Sequence, residues 1–135
     1  GMAVSVEKGL VVPVIKNADK MSLSEINRTA GELAKKAREG RLKPDEINGG
    51  TFTVSNLGPF GIDEFYAIIN PPESAILAVG SAKDAPSVEN GGIAIKRMTT
   101  MTLSVDHRVI DGALAAQFMK RIKELLEKPY SLLEI

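Results

Sequence analysis

The chain has 135 residues, with 17 Lys+Arg balancing 17 Asp+Glu, 44% hydrophobic and 25% charged side chains. That length suits one compact domain with a real core, and the composition excludes a disordered or collagen-like chain. Zero net charge gives no indication of a nucleic-acid partner. There is no cysteine and His107 is the one histidine, which removes disulfides, thiolate metal sites and a thiol nucleophile; no metal is expected from carboxylates and one imidazole. No uncharged apolar run approaches the ~20 residues of a bilayer span, and the opening lacks a signal peptide's basic flank and long apolar stretch. No membrane partner is expected, and the location is expected to be cytoplasmic. Gly1 ahead of Met2 reads as a cloning scar, so fold reasoning starts at residue 2.

At the start Val4 and Val6 alternate with Ala3, Ser5 and Glu7, and after Lys8-Gly9 the run Leu10–Ile15 reads as a buried strand with one edge left free by Pro13. Ser22-Leu23-Ser24-Glu25 has capping-box spacing and opens a helix with Leu23, Ile26, Ala30, Leu33, Ala34 and Ala37 on its apolar face, stopped by Gly40. Lys43–Ile47 is expected to form a short helical turn with an early proline. Thr51–Asn56 follows as a strand, residues 57–64 as a loop, Phe65–Ile69 as an extended segment up to Asn70-Pro71-Pro72, and Ser74–Val79 as a buried strand. Residues 83–92, with Asp84, Pro86, Asn90, Gly91 and Gly92, read as a surface loop. One long strand is then expected from Ile93 to Asp106, and a final helix from Gly112 to Lys128 burying Leu114, Phe118, Ile122 and Leu125. Pro129 ends that helix and Ser131–Ile135 leaves an apolar tail. The class is α/β (α+β), a mixed sheet with helices packed on it.

Ser104–Gly112 carries the most chemistry, because a strand there delivers the single imidazole to a loop that enters a helix. By strand parity His107 continues the side of Met101, Leu103 and Val105, so it is expected to be partly shielded, and shielding favours a neutral base. A core histidine bonded to backbone is the plainer alternative. Asp111 is placed to cap the final helix, while Asp106 and Arg108 can pair with each other. A Ser/His/Asp hydrolase is disfavoured because no Gly-x-Ser-x-Gly elbow occurs.

His107-Arg108-Val109-Ile110-Asp111-Gly112 matches the His-x-x-x-Asp-Gly signature of the chloramphenicol acetyltransferase-like acyltransferases. With Asp106 in front, the segment resembles the form found in the dihydrolipoamide acyltransferase (E2) cores of 2-oxo acid dehydrogenase complexes. Gly9–Ile15, Gly49–Gly58 and Ile69–Leu77 agree with that family and stand in its order. The resemblance implies acyl transfer between a dihydrolipoyl thiol and coenzyme A, with His107 as general base on the attacking thiol, Ser55 as donor to the oxyanion, and Asp111 as organiser of the loop. Without the resemblance Ser55 would read as an exposed strand serine on the polar side with Thr51 and Thr53. Gly58–Phe65 and Ala67–Pro72 look most like acetyltransferases of pyruvate or acetoin complexes.

Residues 2–135 would then be the C-terminal portion of a catalytic domain, with no lipoyl domain or subunit-binding domain. The implied partners are coenzyme A, a lipoyl group carried on another domain or chain, and further copies in a trimer-based homo-oligomer whose active site lies between subunits. The alternatives are a non-catalytic assembly module, half of a split enzyme completed by a chain that supplies the N-terminal half, and a free enzyme acting on a small acceptor.

Overall fold

A computed structural model describes residues 1–130, in which the chain runs β1 (Val4–Val6), β2 (Gly9–Val11), α1 (Leu23–Arg38), α2 (Pro44–Ile47), β3 (Thr53–Asn56), β4 (Ala75–Val79), β5 (Lys83–Glu89), β6 (Gly92–Met98), β7 (Met101–Val105) and α3 (Gly112–Glu127). Short 3₁₀ turns at Ala18–Lys20 and Gly58–Phe60 complete it. β3, β4 and β7 form a mixed sheet in that order, β3 parallel and β7 antiparallel to β4. Helices accompany this sheet and two antiparallel hairpins, β1–β2 and β5–β6, so the α+β class with a mixed sheet holds. The apolar tail expected at Ser131–Ile135 lies outside the described residues.

β4 occupies the centre because Ala75-Ile76-Leu77-Ala78 has apolar side chains on both faces, and all four are buried. Val4 of β1, Val14, and Leu33 and Ala37 of α1 extend the core. α1 begins at the expected place: the Ser22 hydroxyl accepts from the Glu25 N–H, and the Glu25 carboxylate accepts from the Ser22 N–H at 2.8 Å. Hydrogen bonding from Ser22 holds the Glu25 carboxyl below its usual range. Lys36 of α1 donates to Glu46 of α2 at 2.5 Å, tying the short helix to the long one.

Several expectations fail for tertiary reasons. Leu10–Ile15 is not one buried strand: β2 stops at Val11 and Leu10 is exposed, while Pro13 and Val14 are buried, Pro13 O still accepting from Met2 N–H across the hairpin and Val14 N–H donating to Glu46 O. Phe65–Ile69 joins no ladder, which does not conflict with the extended segment expected there, and Ile68 is 91% exposed. The expected loop at 83–92 is strand β5 and a hairpin turn, with Asn90 at φ 50 and Gly91 at φ 80. Two successive positive φ values are what a tight hairpin requires, and Pro86 is tolerated because β5 pairs with β6 alone.

The long strand from Ile93 is broken at Thr99-Thr100, where Gly80 N–H donates to Thr100 O and the Thr99 hydroxyl donates to Gly80 O. α3 buries a different arc from the expected one. Ile122 and Leu125 are half-buried with Ala115 and Met119, whereas Leu114 and Phe118 are 53% and 43% exposed. Phe118 still meets Phe52 edge-on, with ring centroids 5.7 Å apart.

Candidate active site

Ser55 lies near the C-terminal end of β3, paired in register with Ala78, which pairs in turn with Thr102. Thr53 and Ser55 share one face of the strand, as period-two geometry demands, while Phe52 and Val54 face a separate open cavity of about 920 Å³ reaching Ile26 and Ala30 of α1. Thr51 precedes the strand and lines that second cavity, so it does not share the side of Ser55. The face of Ser55 is not open solvent. It is half-buried and forms one wall of an open cavity of about 380 Å³, lined also by Leu10, Val12 and the segment Phe65–Pro71.

The chain after Ser55 is fixed by close backbone packing. Asn56 Oδ1 accepts from Gly58 N–H at 2.8 Å, and Leu57 N–H donates to Val79 O at 3.1 Å. A Cβ on Gly58 would lie 2.7 Å from Gly80 O, and one on Gly80 only 1.9 Å from Asp63 O. Both positions therefore require glycine because another backbone passes through the space of a side chain. Lys83 and the Ser81 hydroxyl bond the Asp63 carboxylate and hold it below the usual carboxylate range.

His107 stands at the other end of the sheet. β7 ends at Val105, Asp106 N–H makes a last bond to Ser74 O at 2.8 Å, and Asp106 O then accepts from Val109 and Ile110 N–H, both at 3.0 Å. The Asp106 carboxylate accepts from the Arg108 N–H at 3.0 Å and from its Nε and Nη2 at 2.9 and 2.6 Å. The Arg108 guanidinium and backbone N–H lower the Asp106 carboxyl to about 2, and the same pair raises Arg108. His107 sits on the turn between these clamped neighbours. It is exposed, against the expectation of shielding, because strand parity ends with the ladder at Asp106 and the turn rotates the next side chain outward. Asp111 caps α3: its backbone is extended (φ −80, ψ 165) and its carboxylate accepts from Leu114 N–H at 2.8 Å. Among the described residues no side chain hydrogen-bonds the imidazole.

These groups do not meet within one chain. Thr102 is level with Ser55 and Val105 lies three residues further along β7, so at about 3.4 Å per residue and 4.8 Å per strand the Ser55 and Val105 backbones are about 14 Å apart. His107 lies beyond that. One copy thus presents a half-buried hydroxyl at one end of the sheet and an exposed imidazole at the other. Among the described residues no cluster of His, Asp and Glu could hold a metal.

A pair that motif reading passed over is Thr53 with Glu73. Thr53 is wholly buried, Glu73 is 8% exposed, and the hydroxyl donates to Glu73 Oε2 at 2.6 Å. The available signal was a glutamate set two residues before the apolar run of β4.

The family described as 2-oxoacid dehydrogenases acyltransferase (catalytic domain) matches residues 1–134. The dihydrolipoyllysine-residue acetyltransferase component of the pyruvate dehydrogenase complex of Zymomonas mobilis is 52% identical over 132 residues, covering 98% of this chain and 30% of the relative. A solved structure of Azotobacter vinelandii dihydrolipoamide acetyltransferase, from work on the role of a serine, a histidine and an asparagine in its catalytic mechanism, matches with TM-score 0.95 and 44% identity, covering 98% of this chain and 55% of that one. A structure described as the cubic core of the pyruvate dehydrogenase multienzyme complex matches with the same score, identity and coverage. The chain thus spans about a third of that curated relative and about half of the solved chains.

Proposed function

Because the chain belongs to the acyltransferase catalytic-domain family of the 2-oxoacid dehydrogenases, we propose that it moves an acetyl group between a dihydrolipoyl thiol and coenzyme A, at a site shared by two copies. One observation carries this reading: the exposed His107 and the half-buried Ser55 lie at opposite ends of one sheet. A second copy must bring its imidazole to the hydroxyl of the first. The exposed Ile68, Val88, Ile93 and Ile95 supply apolar surface for association, in a trimer-based homo-oligomer. In the Azotobacter relative the serine, histidine and asparagine stand 52 and 4 residues apart, the separations of Ser55, His107 and Asp111. The amide there and the carboxylate here are interchangeable as helix caps, which supports Asp111 as organiser of the His107 loop.

The chemistry follows from the two groups. A thiol of pKa ~8.5 is mostly protonated at neutral pH, and a neutral imidazole nitrogen can take its proton as attack proceeds. His107 accepts the proton of the incoming thiol while its sulfur bonds to the thioester carbonyl carbon. The carbonyl electron pair moves to oxygen, and the Ser55 hydroxyl donates a hydrogen bond to the resulting oxyanion. Collapse re-forms the carbonyl, breaks the bond to the departing sulfur, and His107 returns its proton to that sulfur. Coenzyme A and the lipoyl group, the latter on another domain or chain, are substrates, and no metal enters these steps.

Residues 2–135 form the C-terminal portion of the catalytic domain in this reading, and a cytoplasmic location belongs to the same proposal.

The test is complementation. His107→Ala and Ser55→Ala proteins, each expected to keep about a hundredth of wild-type activity or less, are mixed, dissociated and reassembled. In a cyclic assembly about a quarter of the sites then combine an intact imidazole with an intact hydroxyl, and acetyl transfer from acetyl-coenzyme A to dihydrolipoamide returns to about that fraction. Reassembled particles without recovered activity would overturn the two-copy site.

A further inference from the structure

Thr53 and Glu73 are the buried polar residues of the described chain, at 0% and 8% exposure, and they bond to each other at 2.6 Å. Burying a carboxylate is costly, and an apolar pair of similar volume commonly serves stability as well or better. What a short, charge-assisted bond adds is a fixed direction.

That direction bears on Ser55, which sits two residues after Thr53 on the same face of β3. The residue between them is already held from both sides. Val54 O accepts from Ala3 N–H at 3.0 Å on one edge, and on the opposite edge Val54 pairs with Leu77. Sliding of β3 is thus blocked, and the Thr53–Glu73 bond fixes the remaining tilt of the face that carries Ser55. The Glu73 carboxylate is seated against the Gly50 backbone, its Oε1 filling the space where a Cβ on residue 50 would stand, 2.3 Å away.

Glu73 is anchored in its own turn as well. Its N–H donates to Asn70 O at 3.0 Å, closing the turn after the Phe65–Pro71 wall of the Ser55 cavity, and the next residue, Ser74, accepts Asp106 N–H at 2.8 Å. One turn therefore grips the strand of Ser55 by a side chain and the strand end before His107 by its backbone.

We infer that Glu73, acting through the Thr53 hydroxyl, is a positioning residue that orients Ser55 and the wall of its cavity, and so governs turnover more than substrate binding. This rests on the proposed role of Ser55. Displacing a catalytic donor by a fraction of an ångström costs rate without removing binding contacts.

The experiment uses the assembled protein and acetyl transfer from acetyl-coenzyme A to dihydrolipoamide, with light scattering and thermal melting on each variant. Thr53→Val keeps the shape and removes the donor, Thr53→Ser keeps the donor, and Glu73→Gln keeps volume and an acceptor. Thr53→Val is expected to lower kcat about tenfold with KM within about twofold, Glu73→Gln to lower kcat about threefold, and Thr53→Ser to stay within about twofold of wild type. In a Ser55→Ala background Thr53→Val and Glu73→Gln are each expected to cost less than about twofold, because the group they orient is gone. Full additivity with Ser55→Ala, wild-type kcat in Thr53→Val, or a Thr53→Ser as slow as Thr53→Val each overturns the positioning role while sparing Ser55. A Ser55→Ala protein with wild-type turnover overturns both assignments at once. Glu73→Gln carries the test alone if Thr53→Val fails to assemble.

Discussion

At the Ser55 end of the three-stranded sheet, backbone runs so close to backbone that Gly58 and Gly80 have no room for a methyl group, whereas at the other end His107 stands exposed on a turn held by one ion pair and one helix cap. The difference fits the two tasks proposed for these residues. A donor to an oxyanion works by being already in place, so it gains from a rigid, half-buried setting. A base must reach a thiol proton delivered from outside its own chain, so it gains from exposure on a turn whose backbone is nevertheless fixed.

The comparison can be broken most directly at its exposed end. His107→Ala is expected to slow transfer by about 10²–10⁴-fold with the melting temperature unchanged; steady-state rates within a few-fold of wild type would remove the base from the site. Ser55→Ala is the corresponding change at the buried end, expected to cost about 10²–10³-fold in kcat, and a rate close to wild type would end its assignment.

Changes in stability should show the opposite ranking of the two ends. Gly80→Ala forces a methyl group against Asp63 O and is expected to lose about 1–3 kcal/mol in denaturant melts. At the His107 end Asp111→Ala removes the cap of α3 and is expected to cost about 1 kcal/mol, whereas Asp111→Asn, which keeps a capping oxygen, should change stability by only a few tenths. If Asp111→Asn also leaves the transfer rate within a few-fold of wild type, the residue acts through the cap. A large rate loss with an intact helix would instead assign its charge a part in the reaction.

Local signals were the legible ones. Ser22 and Glu25 announce the start of α1, Asp111 announces the start of α3, and the unbroken apolar run of β4 announces two-sided burial. Each depends on residues within a turn or two of one another, so no knowledge of distant chain is needed. β5 was hidden by its own composition: Asp84, Pro86 and the Asn90-Gly91 pair resemble a loop when read singly, though the last two form the tight turn that pairs two strands. The break at Thr99-Thr100 was hidden for another reason. β-branched residues favour a continuing strand, and only Gly80, nineteen or more residues earlier, ends it by hydrogen bonding both.

The same division holds for the site. By itself the sequence determined which groups are present: one imidazole in a His-x-x-x-Asp-Gly setting, a serine two residues beyond a threonine, and no thiol. It could not determine their placement, because that depends on the strand register of β3, β4 and β7, which is set by pairing across more than twenty residues. Only the tertiary structure put Ser55 and His107 at opposite ends of one sheet, turned the imidazole outward where the ladder stops, and drew Thr53 and Glu73 into a buried bond from twenty residues apart.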